Sequence, residues 1–140
     1  MKNIFIDTNV IIDFLGNRES FSNSATELFD LYADNKKKIF VSATSYTNVY
    51  YLMYKQIKSH KTVISLLSTL FEITELIDTN NNIISQSLYS EFLDFEDAIQ
   101  FYAALSNKKI EIIVSRDKKG FKKSKLPVMD VEQALRVCLQ

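Results

Sequence analysis

Three acidic positions stand where secondary-structure elements are expected to end or begin. Asp7 closes the run Asn3-Ile4-Phe5-Ile6, and an apolar helical pattern starts directly after it. Asp117 follows the run Ile110 to Val114 and Ser115. Between them, Asp94-Phe95-Glu96-Asp97 opens a helix. Open α/β sheets place their functional groups at the carboxyl ends of strands. Carboxylates gathered there suit magnesium, which takes hard oxygen ligands and usually keeps several waters. Such an ion can lower the pKa of a water nucleophile and neutralise charge on a phosphodiester as it breaks. That chemistry needs Asp or Glu and requires no Ser, His or Cys.

Each acid also has an ordinary structural role open to it. Asp7 can cap the helix that starts at Thr8. Asp94 reads as an N-cap with Asp97 at the third helical position. Acids in a first helical turn are common, and Asp117 lies in Ser115-Arg116-Asp117-Lys118-Lys119-Gly120, which reads as a turn. The weight is on the joint pattern, with three acids at element ends in one alternating chain. Asp94 and Asp97 are spaced i, i+3 and share a helix face. Glu96 is rotated by roughly 100° from Asp97, so Asp94 is the expected supporting acid and Glu96 is expected to point elsewhere.

The elements that must position these residues alternate along the chain. Strands are expected at Asn3 to Ile6, Ile39 to Val41, Ile73 to Ile77, Ile110 to Val114 and Pro127 to Met129. Thr8 to Leu15 reads as a short helix with Gly16 at its end. A helix from Ser22 or Asn23 carries Ala25, Leu28, Phe29 and Tyr32 on one face. Ser42 or Thr44 can cap a helix holding Val49, Leu52, Met53 and Tyr54, and Lys61 to Phe71 forms another. Ile83 to Tyr89 gives a weaker helix, Asp94 starts the next, and Val131, Ala134, Leu135 and Cys138 mark the last. The prediction is a single α/β domain over residues 1–140, a three-layer sandwich with a mostly parallel central sheet flanked by helices.

The formal charge is zero, with 17 basic and 17 acidic residues, so bulk charge gives no argument for nucleic acid. Local charge does. Arg116, Lys118, Lys119, Lys122, Lys123 and Lys125 crowd around Asp117 and could form a phosphate-binding rim or a solvated loop. Tyr46, Tyr50, Tyr51 and Tyr54 could stack on bases, although core or interface packing suits them better. His60, the one histidine, lacks the neighbours of a zinc site. The one cysteine, Cys138, cannot form an internal disulfide, which favours a reducing compartment. Asp7 and Asp13 interrupt any signal-peptide core, and no run reaches the ~18 apolar residues of a membrane span. A soluble cytoplasmic protein is the expectation.

Taken together, these segments resemble the PIN domain, the fold of VapC-type toxin ribonucleases. Ile6-Asp7-Thr8-Asn9-Val10-Ile11-Ile12-Asp13-Phe14-Leu15 resembles the first motif of that family. Glu96-Asp97-Ala98-Ile99-Gln100-Phe101-Tyr102-Ala103-Ala104 resembles its central Asp-Ala helix, and Ile113-Val114-Ser115-Arg116-Asp117-Lys118-Lys119-Gly120-Phe121 its Thr-x-Asp segment. The resemblance implies a magnesium- or manganese-dependent endoribonuclease with Asp7, Asp97 and Asp117 as ligands. Thr8, Asn9, Asp94 and Ser115 are candidate supports, with Ser115 where the family often has Thr. It also implies a homodimer, an RNA substrate and an antitoxin partner.

The chain departs from the family at two places. Asn48 stands where such nucleases commonly carry another acid, usually Glu, as in a subgroup with Asn at this position. The amide removes one charge, and Asp94 is the expected compensation. Gly120 stands where many members carry Asp. Both changes keep open a second reading, a weak or inactive module that binds RNA or a protein. A phosphotransfer receiver domain ranks below both, because only Asp7 ends the first strand.

Overall fold

The structure, a computed structural model, describes residues 1–16 and 22–139. Its centre is a five-stranded sheet in the order β3-β2-β1-β4-β5. The strands are β1 (Ile4–Ile6), β2 (Ile39–Ser42), β3 (Glu75–Ile77), β4 (Ile112–Val114) and β5 (Val128–Met129). All four strand pairs are parallel. A parallel sheet requires both faces to be covered, and the side chains divide accordingly. Ile4, Ile6, Ile39, Val41, Ile112 and Val114 belong to one core, whereas Phe5, Phe40 and Ile113 belong to the other. This is the period-two alternation of extended chain.

The first core is covered by α1 (Thr8–Leu15), α2 (Ser22–Ala33), α3 (Ala43–Ile57), α4 (His60–Ile73) and α7 (Val131–Cys138). The second is covered by α5 (Asn81–Leu88) and α6 (Phe95–Leu105). The chain builds the sheet outward from β1 through β2 to β3, then returns to the other side of β1 as β4. Crossovers keep one hand, so this reversal carries α5 and α6 to the opposite face. The result is a switch point between β1 and β4, where open α/β sheets leave a crevice at the strands' carboxyl ends.

Two expected strands start two residues later than the sequence suggests. α4 runs on to Ile73, and Thr74 ends it by donating its hydroxyl to the Leu70 carbonyl at 2.7 Å, so β3 starts only at Glu75. Ile110 is held in a turn, its N–H on the Asn107 carbonyl at 3.1 Å, and β4 begins at Ile112. Gly16 does end α1, with right-handed backbone.

Candidate active site

Asp7 leaves β1 at the switch point. Its N–H still bonds the Val114 carbonyl of β4 at 2.9 Å, while its side chain turns to cap α1, Oδ1 accepting the Thr8 N–H at 2.7 Å. Oδ2 accepts the Ser115 hydroxyl at 2.7 Å and the Asn9 amide at 3.3 Å. The capping role and the site role therefore coexist in one carboxylate with two oxygens.

Ser115 is fully buried and works in both directions. It donates to Asp7 and accepts the Asp117 N–H at 3.0 Å, fixing the second acid relative to the first. Asp117 in turn accepts the Gly120 N–H on Oδ1 at 3.0 Å, closing a tight turn. A side chain at Gly120 would fit only if the neighbouring acids moved. A Cβ there would lie 2.5 Å from Asp117 Oδ2 and closer still to Asp97 Oδ2. The two carboxylate oxygens thus converge on one small space beside the bare glycine backbone.

Asp97 arrives from the opposite layer. Asp94 caps α6, its Oδ1 accepting the Asp97 N–H at 2.9 Å, and this sets Asp97 in the first turn with its carboxylate buried. A cavity of about 330 Å³ is lined by Asp7, Thr8, Asn9, Asp94, Asp97 and Asp117, together with Ile12, Leu52 and Glu96. The three predicted acids are therefore brought together, and Asp94, Thr8 and Asn9 line the same cavity.

Glu96 corrects the sequence reading. It does not point away from the site. It lines the same cavity, and its Oε2 accepts the side-chain amide of Asn48 from α3. A helical side chain leans toward the preceding turn, and the extra methylene of Glu gives it the reach that the rotation alone would deny. Sequence reasoning also misses Gln100, one turn below and fully buried. Its amide donates to Ser45 Oγ at 2.7 Å and Thr8 Oγ1 at 3.2 Å, and those hydroxyls bond each other at 3.0 Å. This knot joins α6, α3 and α1 beneath the acids. A polar residue inside the apolar run Ala98 to Leu105 is the available signal.

The electrostatics carry the mark of crowded negative charge. Burial, then the charges of Asp94, Asp7, Asp117 and Glu96, push Asp97 up to about 7. Burial raises Asp7, although its bonds from Ser115 and Thr8 hold it back. Glu96 is raised by burial and by Asp7 and Asp94, with the Asn48 amide opposing. Like charges out of water disfavour ionisation, and a divalent cation relieves all of these at once.

The basic rim divides. Arg116 reaches back to α1, where its Nε pairs with Asp13 at 2.8 Å and its Nη2 donates to Asp13 Oδ1 at 3.2 Å. Asp13 is fully buried in α1, and a buried carboxylate demands such a partner. Lys118 leans on Gln133 at 3.1 Å and Asp130 at 3.9 Å. Lys119, Lys122 and Lys123 instead line a groove of about 550 Å³ that shares Asp94 and Asp97 with the acidic cavity, with Phe92 and Leu93 as its apolar part. Lys123 also pairs with Glu91 at 3.6 Å. Buried Phe121 pins this turn to the second core. On α3, Tyr50 stacks on Tyr54 and bonds His60 at 2.9 Å, and Cys138 is buried beside the Tyr32 hydroxyl.

A family model of the PIN domain matches residues 3–119. The chain belongs to the PIN domain family. Solved structures share this PIN fold at low identity. DNA-bound VapBC from Salmonella typhimurium matches with a TM-score of 0.68 and 14% identity, over 94% of this chain and 99% of that one. VapBC2 from Rickettsia felis, bound to a DNA fragment from its promoter, gives 0.67 and 16% over 91% and 96%. VapC20 from Mycobacterium tuberculosis, a Sarcin-Ricin loop cleaving toxin, gives 0.62 and 15% over 79% and 87%. No curated protein matches the sequence.

The donor set fits a cation of the kind PIN domains use. Among the described residues, no three acids stand close enough to cage a bare ion as they are. Magnesium asks for less, one or two direct carboxylates and retained waters. Asp97 and Asp117, converging where a Cβ would collide with both, meet that requirement, with Asp7 beside them in the cavity.

Proposed function

We propose that this PIN domain is a magnesium- or manganese-dependent endoribonuclease of the VapC toxin type, in the subgroup with Asn at position 48. One observation carries the reading. Asp7, Asp97 and Asp117 reach a single cavity from three different elements, at the switch point where the fold leaves a crevice. Asp97 and Asp117 would hold the cation directly, and Asp7 would do so or orient one of its waters. When bound, the ion supplies an activated water and neutralises charge on the cleaved phosphate.

The remaining roles belong to the chain. Ser115 keeps the Asp7 carboxylate turned toward the cavity, and the Asp117 turn holds its oxygen beside that of Asp97. Asp97 can hold a proton near neutral pH and releases it on loading, because metal ligation requires the carboxylate. One of these carboxylates orients the attacking water. Lys119, Lys122 and Lys123 guide the RNA backbone toward the acids along the shared groove. The exposed Tyr51, Leu52 and Ile57 of α3, with Phe71 and Ile73 of α4, suit covering by protein. We infer a homodimer held by an antitoxin. The domain would act as one unit over residues 1–140 in the cytoplasm, and no described helix is long and apolar enough to cross a membrane.

The test is cleavage of a panel of structured RNAs by purified, antitoxin-free protein with magnesium, manganese or EDTA, run beside Asp97→Asn. The expected result is metal-dependent cleavage that falls at least about 100-fold in the variant, the scale of losing a group that orients the reaction. Equal cleavage by both folded proteins would remove the catalytic reading.

A further inference from the structure

We propose that Glu96 supplies the fourth carboxylate of this site, replacing the acid absent at position 48, and that Asn48 positions it. The proposal rests on the metal-nuclease reading and concerns which residues complete it.

The geometry between two helices comes first. Asn48 lies on α3, in the layer over the first core, and Glu96 lies on α6, in the other layer. They meet across the end of the sheet, the Asn48 Nδ2 donating to Glu96 Oε2. A carboxylate at position 48 would face Glu96 at the same place, where two like charges repel. An amide there instead gives the glutamate a donor. The charge absent from α3 is therefore supplied by α6, and beside the capping acid Asp94 the cavity holds Asp7, Glu96, Asp97 and Asp117.

The hydrogen bond also selects an orientation. It occupies Oε2 and leaves Oε1 for a cation or one of its waters. A carboxylate is an acceptor only, and an amide N–H is the neutral partner that fixes it without removing its charge. Asp94 gives its Oδ1 to the Asp97 backbone N–H as the cap of α6, a bond that keeps the helix start, whereas Glu96 is held by a side chain.

The experiment measures manganese binding directly, by electron paramagnetic resonance of free Mn²⁺ at pH 8, with folding checked by circular dichroism. Wild type, Asp97→Asn, Glu96→Gln, Asn48→Ala and the double variant Asn48→Glu with Glu96→Gln are compared. Glu96→Gln is expected to weaken binding about 10-fold or more, and Asn48→Ala by a smaller factor, in the range seen for groups that support metal ligands. Asn48→Ala should leave RNA affinity, read as KM, unchanged. The double variant should bind within about threefold of wild type, because the charge is returned to α3. Wild-type affinity in Glu96→Gln, alongside loss in Asp97→Asn, would overturn the proposal and leave the metal site standing. Failure of wild type itself to bind manganese would overturn both.

Discussion

Replacing Gly120 by Ala separates the geometry of the acids from the stability of the fold. The added Cβ would stand 2.5 Å from Asp117 Oδ2 and nearer to Asp97 Oδ2, with Asp117 Cγ at 3.1 Å. A carbon and an oxygen settle at ~3.3 Å or more. Each carboxylate must therefore retreat by about 1 Å. These atoms are the ends of rotatable side chains, so the fold can absorb the change, and the lost freedom of glycine in the unfolded chain contributes about 0.4–1 kcal/mol the other way. Stability should stay within ~1 kcal/mol of wild type. Function should not. A misplacement of ~1 Å at a reacting centre costs on the order of 100-fold. The assay is single-turnover cleavage of the best RNA substrate with saturating magnesium, with a thermal melt of each protein. Cleavage within about threefold of wild type would refute the claim that the two oxygens must share that space.

Arg116→Ala removes one ion-pair partner of fully buried Asp13. Breaking a buried pair costs ~3–5 kcal/mol, and the Arg side chain is 30% exposed, so about 2–3 kcal/mol is expected in urea unfolding; a loss below ~1 kcal/mol would contradict the pairing. In metal-free protein, Asp97 at about 7 against an ordinary 3.8 binds its proton more tightly folded than unfolded. Its contribution to stability is present below pH ~4 and lost as pH rises through ~7. The metal-free melting temperature should thus fall from pH 5 to pH 8 more steeply than in Asp97→Asn, and magnesium at pH 8 should restore it; matching slopes would disprove the shift. Lys119→Ala with Lys122→Ala should weaken RNA binding and flatten its salt dependence by about one unit of log–log slope for each phosphate no longer neutralised, which fluorescence anisotropy measures; an unchanged slope would exclude these lysines from the RNA path.

The sheet is legible in the sequence because β-periodicity and burial agree. Phe5 between Ile4 and Ile6 faces the opposite core, and apolar runs of that kind cannot be satisfied except inside a covered sheet. Asp7, Asp97 and Asp117 are legible because strand ends and helix starts are defined by local pattern. What stays hidden depends on pairs distant in sequence. Helical rotation alone misplaces Glu96, because it leaves out the hydrogen bond from Asn48. The Arg116 pair is hidden because nothing local says that Asp13 is buried, although a carboxylate within Val10 to Leu15 hints at it. The Gln100 knot needs three helices in place before it exists.

The acids of this cavity differ in what else they do. Asp7 and Asp94 each hold a helix start through a backbone N–H. Among the described residues, Glu96 and Asp97 have no such duty toward the backbone with their side chains, and the Asn48 amide is given to Glu96. A lineage that ceased to cut would still be under pressure to keep the two caps, since their loss costs about 1 kcal/mol each whatever the protein does. It would be free to drift at 48, 96 and 97. In descendants of this chain, Asp7 and Asp94 would therefore outlast the activity as relics of folding, while the trio Asn48, Glu96 and Asp97 would record whether the chemistry is still in use.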